Sequence, residues 1–392
     1  MEVRILRTLE AMEEVRDAWL TMQRSPESDI DFVSFIVGIR PEILRPHVIV
    51  VYREGKPVAL VAGRIEQGNF EIKIGYKVLW RVKVRRLAVF YGGLMGEITA
   101  EVGEILVQRL VRSLREERAD LLLWSGIQRN SEAEALLKRI PNAVCRDYLA
   151  RPVQHWRMTF PASLEELLEQ RMNKKHRYWL RRTMRMLDKE FPGAVRCACY
   201  STPAEMGKLF EDTIQIASKT YQWGLGVGFR DTEEQRARLK LEAENKWLRG
   251  YVLYLRDQPA AFWICIVYQD IVYSAFTGYD PQYRKYEIGT ALFLRMVGML
   301  CREKANQLDF GPGTALYKER FGDSFFEEAT VCVFAPTIRG VFLNGLRLLT
   351  EGPLQLVRGM MQRLGLEQKL KRAWRWRRTP TQAAKEPSQG QP

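Results

Sequence analysis

Several things are scarce in this chain, and each scarcity removes a class of protein. Only three histidines occur in 392 residues, His47, His155 and His176. They fall on unrelated elements, so neither a Ser-His-Asp triad nor a histidine metal cluster finds support. The six cysteines include no C-x-x-C pair, and they lie mostly inside apolar patterns, as buried free thiols do. Cys197-Ala-Cys199 would put two thiols on one strand face, but no second pair completes a metal site, and none is expected. No apolar run approaches the ~18–20 residues of a membrane span, and Met-Glu-Val-Arg opens no signal-peptide pattern. A cytoplasmic protein, held at most peripherally at the inner face of a membrane, is the expectation.

Acidic residues are also in deficit, 47 against 61 Lys and Arg, for a net charge of +14. Such a surplus calls for an anionic partner without naming it: nucleic acid, anionic lipid and a phosphorylated cofactor all qualify. It is concentrated in two places. Residues 171–189 hold eight Lys/Arg and one Asp, with Lys174, Arg177, Arg181 and Arg185 at helical spacing; residues 358–378 hold eight Lys/Arg and one Glu, ending in Trp374 and Trp376. The first face suits an anionic small-molecule or lipid-linked sugar acceptor, through Arg177 and Arg181. The second suits an anionic membrane surface. A solvated face and packing on the body are the competing accounts.

What is present in strength is repetition. His47–Gly63 and Tyr251–Cys265 both read as two strands around a tight turn. Gly103–Gly126 lies without a gap on Gly289–Pro312, with eight identities in twenty-four positions, from Gly103/Gly289 to Leu122/Leu308. Hairpin, helix and strand follow in the same order in both halves, so the chain reads as a tandem duplication. Mixed order argues for an α+β sheet in each half. The expected divisions are 1–158, 159–336, a basic helical tail over 337–378 interrupted at Pro353, and a disordered end over 379–392. A capping box at Ser163-Leu-Glu-Glu166 starts one long helix reaching toward Lys189.

The most informative stretch is Asp309-Phe-Gly-Pro-Gly-Thr-Ala-Leu-Tyr-Lys-Glu-Arg-Phe-Gly322. A strand ends there in a glycine-rich turn that delivers Tyr317 and Lys318 to one place. The preceding helix opens at Gly289 and leaves backbone N–H groups free to hold a phosphate-bearing ligand. Asp309 falls at the carboxyl edge of a strand, where it would orient an amine, act as base, or cap the turn. Carrying these positions back by the repeat register places Leu123, Ser131 and Glu132 opposite Asp309, Tyr317 and Lys318. Copy one lacks the set.

Strand, hairpin, helix and strand in this order, with glycine at the helix start after Tyr279-Asp280, resembles the GNAT superfamily of acyl-CoA-dependent acyltransferases. Asp-Phe-Gly-x-Gly followed by Tyr-Lys-x-x-Phe-Gly, with Asn173–Arg182, looks more narrowly like the CelD-like branch associated with cellulose and exopolysaccharide biosynthesis, related to Fem-type peptidyl transferases. The resemblance implies tandem GNAT-like domains, the second catalytic and the first degenerate, and an acyl-CoA donor, acetyl-CoA first among them. It implies an amine or hydroxyl acceptor on an envelope polysaccharide precursor. It places the donor at Arg284, Lys285, Ile288, Gly289, Thr290 and Ala291, although Tyr286 stands where the family's turn begins with Gln or Arg. Tyr317 would protonate the leaving thiolate; Lys318 would neutralise a phosphate or an oxyanion. A structural tyrosine and a solvated lysine remain alternatives. Trp223 and Tyr279 would face the acceptor. A Fem-type enzyme using charged tRNA, and a binding protein that keeps only the fold, are the other readings.

Overall fold

The computed structural model describes residues 1–74, 77–220, 223 and 228–363, with side chains to residue 355. The first half runs β1 (Glu2–Leu6), α1 (Leu9–Glu13), α2 (Arg16–Met22), α3 (Ile30–Ile39), β2 (Ile43–Arg53), β3 (Lys56–Ile74), β4 (Lys77–Gly96), α4 (Ala100–Glu116), β5 (Leu121–Gln128), α5 (Glu132–Arg139) and β6 (Val153–Thr159). The second runs α6 (Leu164–Arg171), α7 (Lys174–Glu190), β7 (Val195–Tyr200), α8 (Met206–Ala217), α9 (Glu233–Glu244), β8 (Leu248–Leu255), β9 (Gln258–Tyr268), β10 (Ile271–Tyr279), α10 (Ile288–Arg302), β11 (Gln307–Pro312), α11 (Leu316–Phe321), β12 (Ser324–Phe334) and α12 (Ile338–Arg363).

Alternation in the strands sorts side chains to two covered faces. Along β2, Ile49 and Val51 turn to the core under α4, while Val48 and Val50 turn to the core under α1–α3, as the period of two in a strand requires. In the second half Val272, Leu308 and Phe310 pack with α10, α6 and α7 on the first face, and α8 and α9 cover the second. On α4, Leu106, Leu110 and Leu114 are wholly buried, each contributing about 1.5–3 kcal/mol relative to exposure.

Among the described residues twelve strands form one sheet, in the order β1-β2-β3-β4-β5-β12-β6-β11-β10-β9-β8-β7. It crosses the expected boundary at residues 158/159 without a break, because the halves exchange strands. β6, from the first half, pairs with β11; β12, from the second, pairs with β5; and the exchanged strands pair with each other. Each half's sheet is completed by the other.

Two expected helices differ. The helix from Ser163 breaks at Met172-Asn173: the Asn173 side chain caps the His176 N–H at 2.9 Å, and Arg177 folds back to the carbonyls of Glu169 and Met172. Pro353 does not interrupt α12, which runs through it; Leu349, whose carbonyl loses its i+4 partner there, is on the outside. The expected disordered end, Trp374 and Trp376 lie outside the described residues.

Candidate active site at the parting of two parallel strands

In the second half β10 and β11 run parallel and pair at three positions, Ile271↔Gln307, Val272↔Leu308 and Tyr273↔Asp309. Beyond Tyr273, β10 bulges at Ser274–Phe276 and continues to Tyr279 paired with β9, while β11 stays paired with β6 on its other side through an irregularity at Asp309–Gly311. The strands therefore part at Asp309, at their carboxyl ends, where open α/β sheets hold ligands. In the first half β4 and β5 pair at Ala88↔Leu123, and then β4 bulges as well. Leu123 occupies the place of Asp309, as the repeat register requires.

The turn that follows is tied down from three sides. Gly311 (φ +72°) and Gly313 (φ +92°) take left-handed backbone, which glycine adopts without strain. The Gly311 N–H donates to Asp309 Oδ1 at 2.8 Å, and the buried Lys318 ammonium donates to the carbonyls of Gly311 (3.0 Å) and Pro312 (2.9 Å). Lys318 thus clamps the turn, and burial pulls its pKa below the usual lysine value. Tyr317 lies beside it on α11, its ring edge-on to Trp263 (5.4 Å) and Phe310 (5.8 Å). The Trp263 indole donates to Ser274 Oγ at 2.9 Å, which ties Tyr317's packing partner to the bulged strand.

Beneath the parting is a chain of charge. His155 Nε2 donates to Asp309 Oδ1 at 2.6 Å, His155 Nδ1 to Glu328 Oε2 at 3.0 Å, and the Tyr91 hydroxyl to the same Glu328 oxygen at 2.6 Å. Arg157 Nε donates to Asp309 Oδ2 at 3.1 Å, with its guanidinium over the Phe326 ring. His155, Asp309 and Glu328 are each under 5% exposed, and Phe326 stacks on the imidazole at 4.5 Å. Burial alone would lower the imidazole pKa, but the two carboxylates, one at each ring nitrogen, raise it and favour the imidazolium. Burial alone would raise Asp309, but His155, the Gly311 N–H and Arg157 hold it below the usual carboxylate range.

These opposite shifts fix the pH dependence of the seam. His155's contribution is complete below the ordinary imidazole pKa of about 6.5 and is lost as pH rises through its raised value. Asp309's is present above about 3.9 and is lost as pH falls through its depressed value. The urea midpoint is therefore expected to be highest between about pH 4 and 6.5 and to decline on the alkaline side. His155→Gln should flatten that decline. Urea melts across the range test it, and an alkaline limb identical in the variant would refute the assignment.

The other expected positions form a second group. Ile288 and Ala291 are wholly buried, so only their backbone can meet a ligand. Gly289 abuts the half-exposed Tyr279 ring, and Thr290 Oγ1 donates to Glu287 at 3.2 Å. Glu287 takes left-handed backbone at the helix start; an incoming phosphate there competes with its carboxylate. Arg284 and Lys285 are exposed and border a groove of about 490 Å³ with Trp179, Arg182, Thr183, Met186 and Glu287. Of α7, then, the side next to the turn is Trp179, Arg182 and Met186. Arg177 is engaged with the end of α6, and Arg181 is exposed elsewhere on the helix. Trp223 sits under the Arg230 guanidinium at 5.2 Å. The Cys197 and Cys199 thiols are pushed up to about 11 by burial, which makes them poor nucleophiles.

Sequence reasoning missed His155, Arg157, Glu328 and Tyr91. His155 and Arg157 alternate with Trp156 and Met158, a pattern that reads as a strand with one wet face. Only the exchange of β6 into the middle of the sheet brings that polar face under Asp309.

The fold is that of tandem GNAT-like domains, two mixed sheets fused into one with helices on both faces. The family model described as acetyltransferase (GNAT) domain matches residues 174–319, which include α10, Asp309, Tyr317 and Lys318; the first half lies outside it. FemX is similar in fold, with a TM-score of 0.55 at 10% identity over 85% of this chain and 97% of that one. So are a conserved protein of unknown function from Bacteroides thetaiotaomicron VPI-5482 (TM-score 0.52, 13% identity, 85% and 100% covered) and a tandem GNAT protein from the clavulanic acid biosynthesis pathway (TM-score 0.50, 10% identity, 86% and 99% covered). No curated protein matches in sequence. Among the described residues no helix is long and apolar enough to cross a membrane.

Proposed function

We propose that the second half transfers an acyl group from acyl-CoA, acetyl-CoA first, to an amine, or less readily a hydroxyl, on an envelope or exopolysaccharide precursor, as in the CelD-like branch. The observation that carries this reading is the parting of β10 from β11 beside the start of α10. Among the described residues β10 pairs with β9 alone from Ser274 to Tyr279, so its other edge offers backbone groups to the amides of a pantetheine arm. The free N–H groups of α10, with Arg284 and Lys285, suit its phosphates. The acceptor nitrogen attacks the thioester carbon, unpaired N–H groups of β10 stabilise the oxyanion, the C–S bond breaks, and Tyr317 supplies a proton to the thiolate. Asp309 already accepts three hydrogen bonds; it orients the turn rather than taking the amine's proton, which leaves to water.

Calorimetry with CoA and acetyl-CoA tests the donor, and absence of binding would leave a fold without this activity. Arg284→Glu with Lys285→Glu is expected to weaken acetyl-CoA about tenfold or more by reversing two charges at the phosphate end. Both side chains are exposed, so stability should change by less than about 0.5 kcal/mol. Unaltered affinity would move the donor elsewhere. A charged tRNA is the rival donor. What favours it is α7, where Lys174, Lys175, Arg181, Arg182, Arg185 and Lys189 project around exposed Tyr178 and Trp179; activity destroyed by ribonuclease would decide for it.

A further inference from the structure

One part of the basic surplus lies far from the parting. β2 stops pairing with β3 at Ile43↔Glu66, and β5 meets β4 from Arg86 onward. Beyond those points, among the described residues, β3 and β4 pair only with each other, from Gly68↔Val84 out to Ile74↔Lys77, as a two-stranded ribbon. Its inner face is covered: Phe70 meets Phe334 edge-on at 5.6 Å, and Val82 and Val84 pack in the cluster that includes Leu343 of α12. Toward its end, apolar side chains are exposed. Ile74 is 49% exposed and Trp80 59%.

Helix α12 lies along this ribbon. Arg339, near its start, donates to the Lys83 carbonyl, while Glu351 and Leu354, farther along, share a groove with Lys73. Its outward side carries Ile338 (93% exposed), Phe342 (66%) and Leu349 (75%), spaced by four and seven, so they form one stripe. Cations flank these apolar groups in sequence: residues 69–86 hold six Lys/Arg and one Glu, and residues 358–378 hold eight Lys/Arg and one Glu; Lys73 and Arg81 share Glu71, and Arg86 pairs with Glu66.

We infer that this face docks on an anionic bilayer surface, with Trp80 and Ile74 at the boundary between headgroups and acyl chains, α12 lying along the membrane, and the flanking cations on lipid phosphates. Exposed aliphatics beside tryptophan and a predominantly basic surround are what such a surface solvates. RNA fits less well, since Ile338 and Leu349 give bases nothing to stack on. A groove of about 370 Å³ opens between Lys73, Arg151 and Leu354 and reaches Val153 and Thr330, two residues along their strands from His155 and Glu328. The docking does not rest on the acyltransferase reading.

Sedimentation of the full chain with vesicles tests it. Binding is expected to vesicles of phosphatidylcholine with about one quarter phosphatidylglycerol, to weaken at high salt, and to be at least about tenfold poorer on phosphatidylcholine alone. Ile74→Ser with Trp80→Ser should weaken it about tenfold while leaving the urea melt and acetyl-CoA titration unchanged, so failure here is separable from failure of the donor assignment. Wild-type affinity in that variant would mean that the C-terminal segment binds by itself and would overturn the inference. So would absence of binding to anionic vesicles, preference for RNA over them, or self-association that buries the stripe.

Discussion

His155→Leu is expected to destabilise the protein by about 3–5 kcal/mol, the range seen when one partner of a buried ion pair is removed. The imidazolium is the common donor to Asp309 and Glu328; without it two buried carboxylates face a hydrocarbon, Arg157 alone cannot serve both, and Asp309 loses its hold on the Gly311 turn. Because Tyr91, His155, Asp309 and Glu328 stand on β4, β6, β11 and β12, the damage should fall on the seam between halves. The urea midpoint measures it, and limited proteolysis near residue 160 localises it. Replacing His155, Asp309 and Glu328 together by leucine should recover much of the stability, since an entire buried ionic network exchanged for apolar residues is often close to neutral. A single variant as stable as wild type would show that the network contributes nothing.

Tyr317→Phe is expected to reduce turnover by about 10²-fold or more, the scale of a lost general acid, with acetyl-CoA affinity unchanged. Phenylalanine keeps the ring against Trp263 and Phe310, so fold and donor site should survive and the effect should appear in kcat rather than KM. Full turnover would remove Tyr317 from the chemistry. Lys318→Ala should behave differently. It strands the carbonyls of Gly311 and Pro312, which its ammonium now serves, at a cost of about 1–3 kcal/mol for unmet hydrogen bonds. Activity and stability should fall together, whereas in Tyr317→Phe they separate.

The gapless register of Gly103–Gly126 on Gly289–Pro312 made the duplication legible, along with Leu123 in the strand position of Asp309 and the turn that follows Asp309. Those features are local: they follow from helix periodicity, from glycine where the backbone is left-handed, and from a strand ending where its apolar run ends. Lys318 was visible as a residue next to that turn, but its partners were not. A lysine in sequence is indistinguishable as solvated cation or buried clamp until the carbonyls around it are placed.

By itself, then, the sequence determined the repeated α+β unit, the asymmetry between its copies and the position of the glycine turn, because each is written in short-range pattern. The tertiary structure alone decided that the copies share one sheet by exchanging β6 and β12, and that Tyr91, His155 and Glu328, which lie 64 to 237 residues from one another in sequence, meet beneath Asp309. No periodicity encodes which strand a polar face will meet. Pairing between distant strands is settled by the whole set of buried surfaces, and the partners of a buried charge are settled with it.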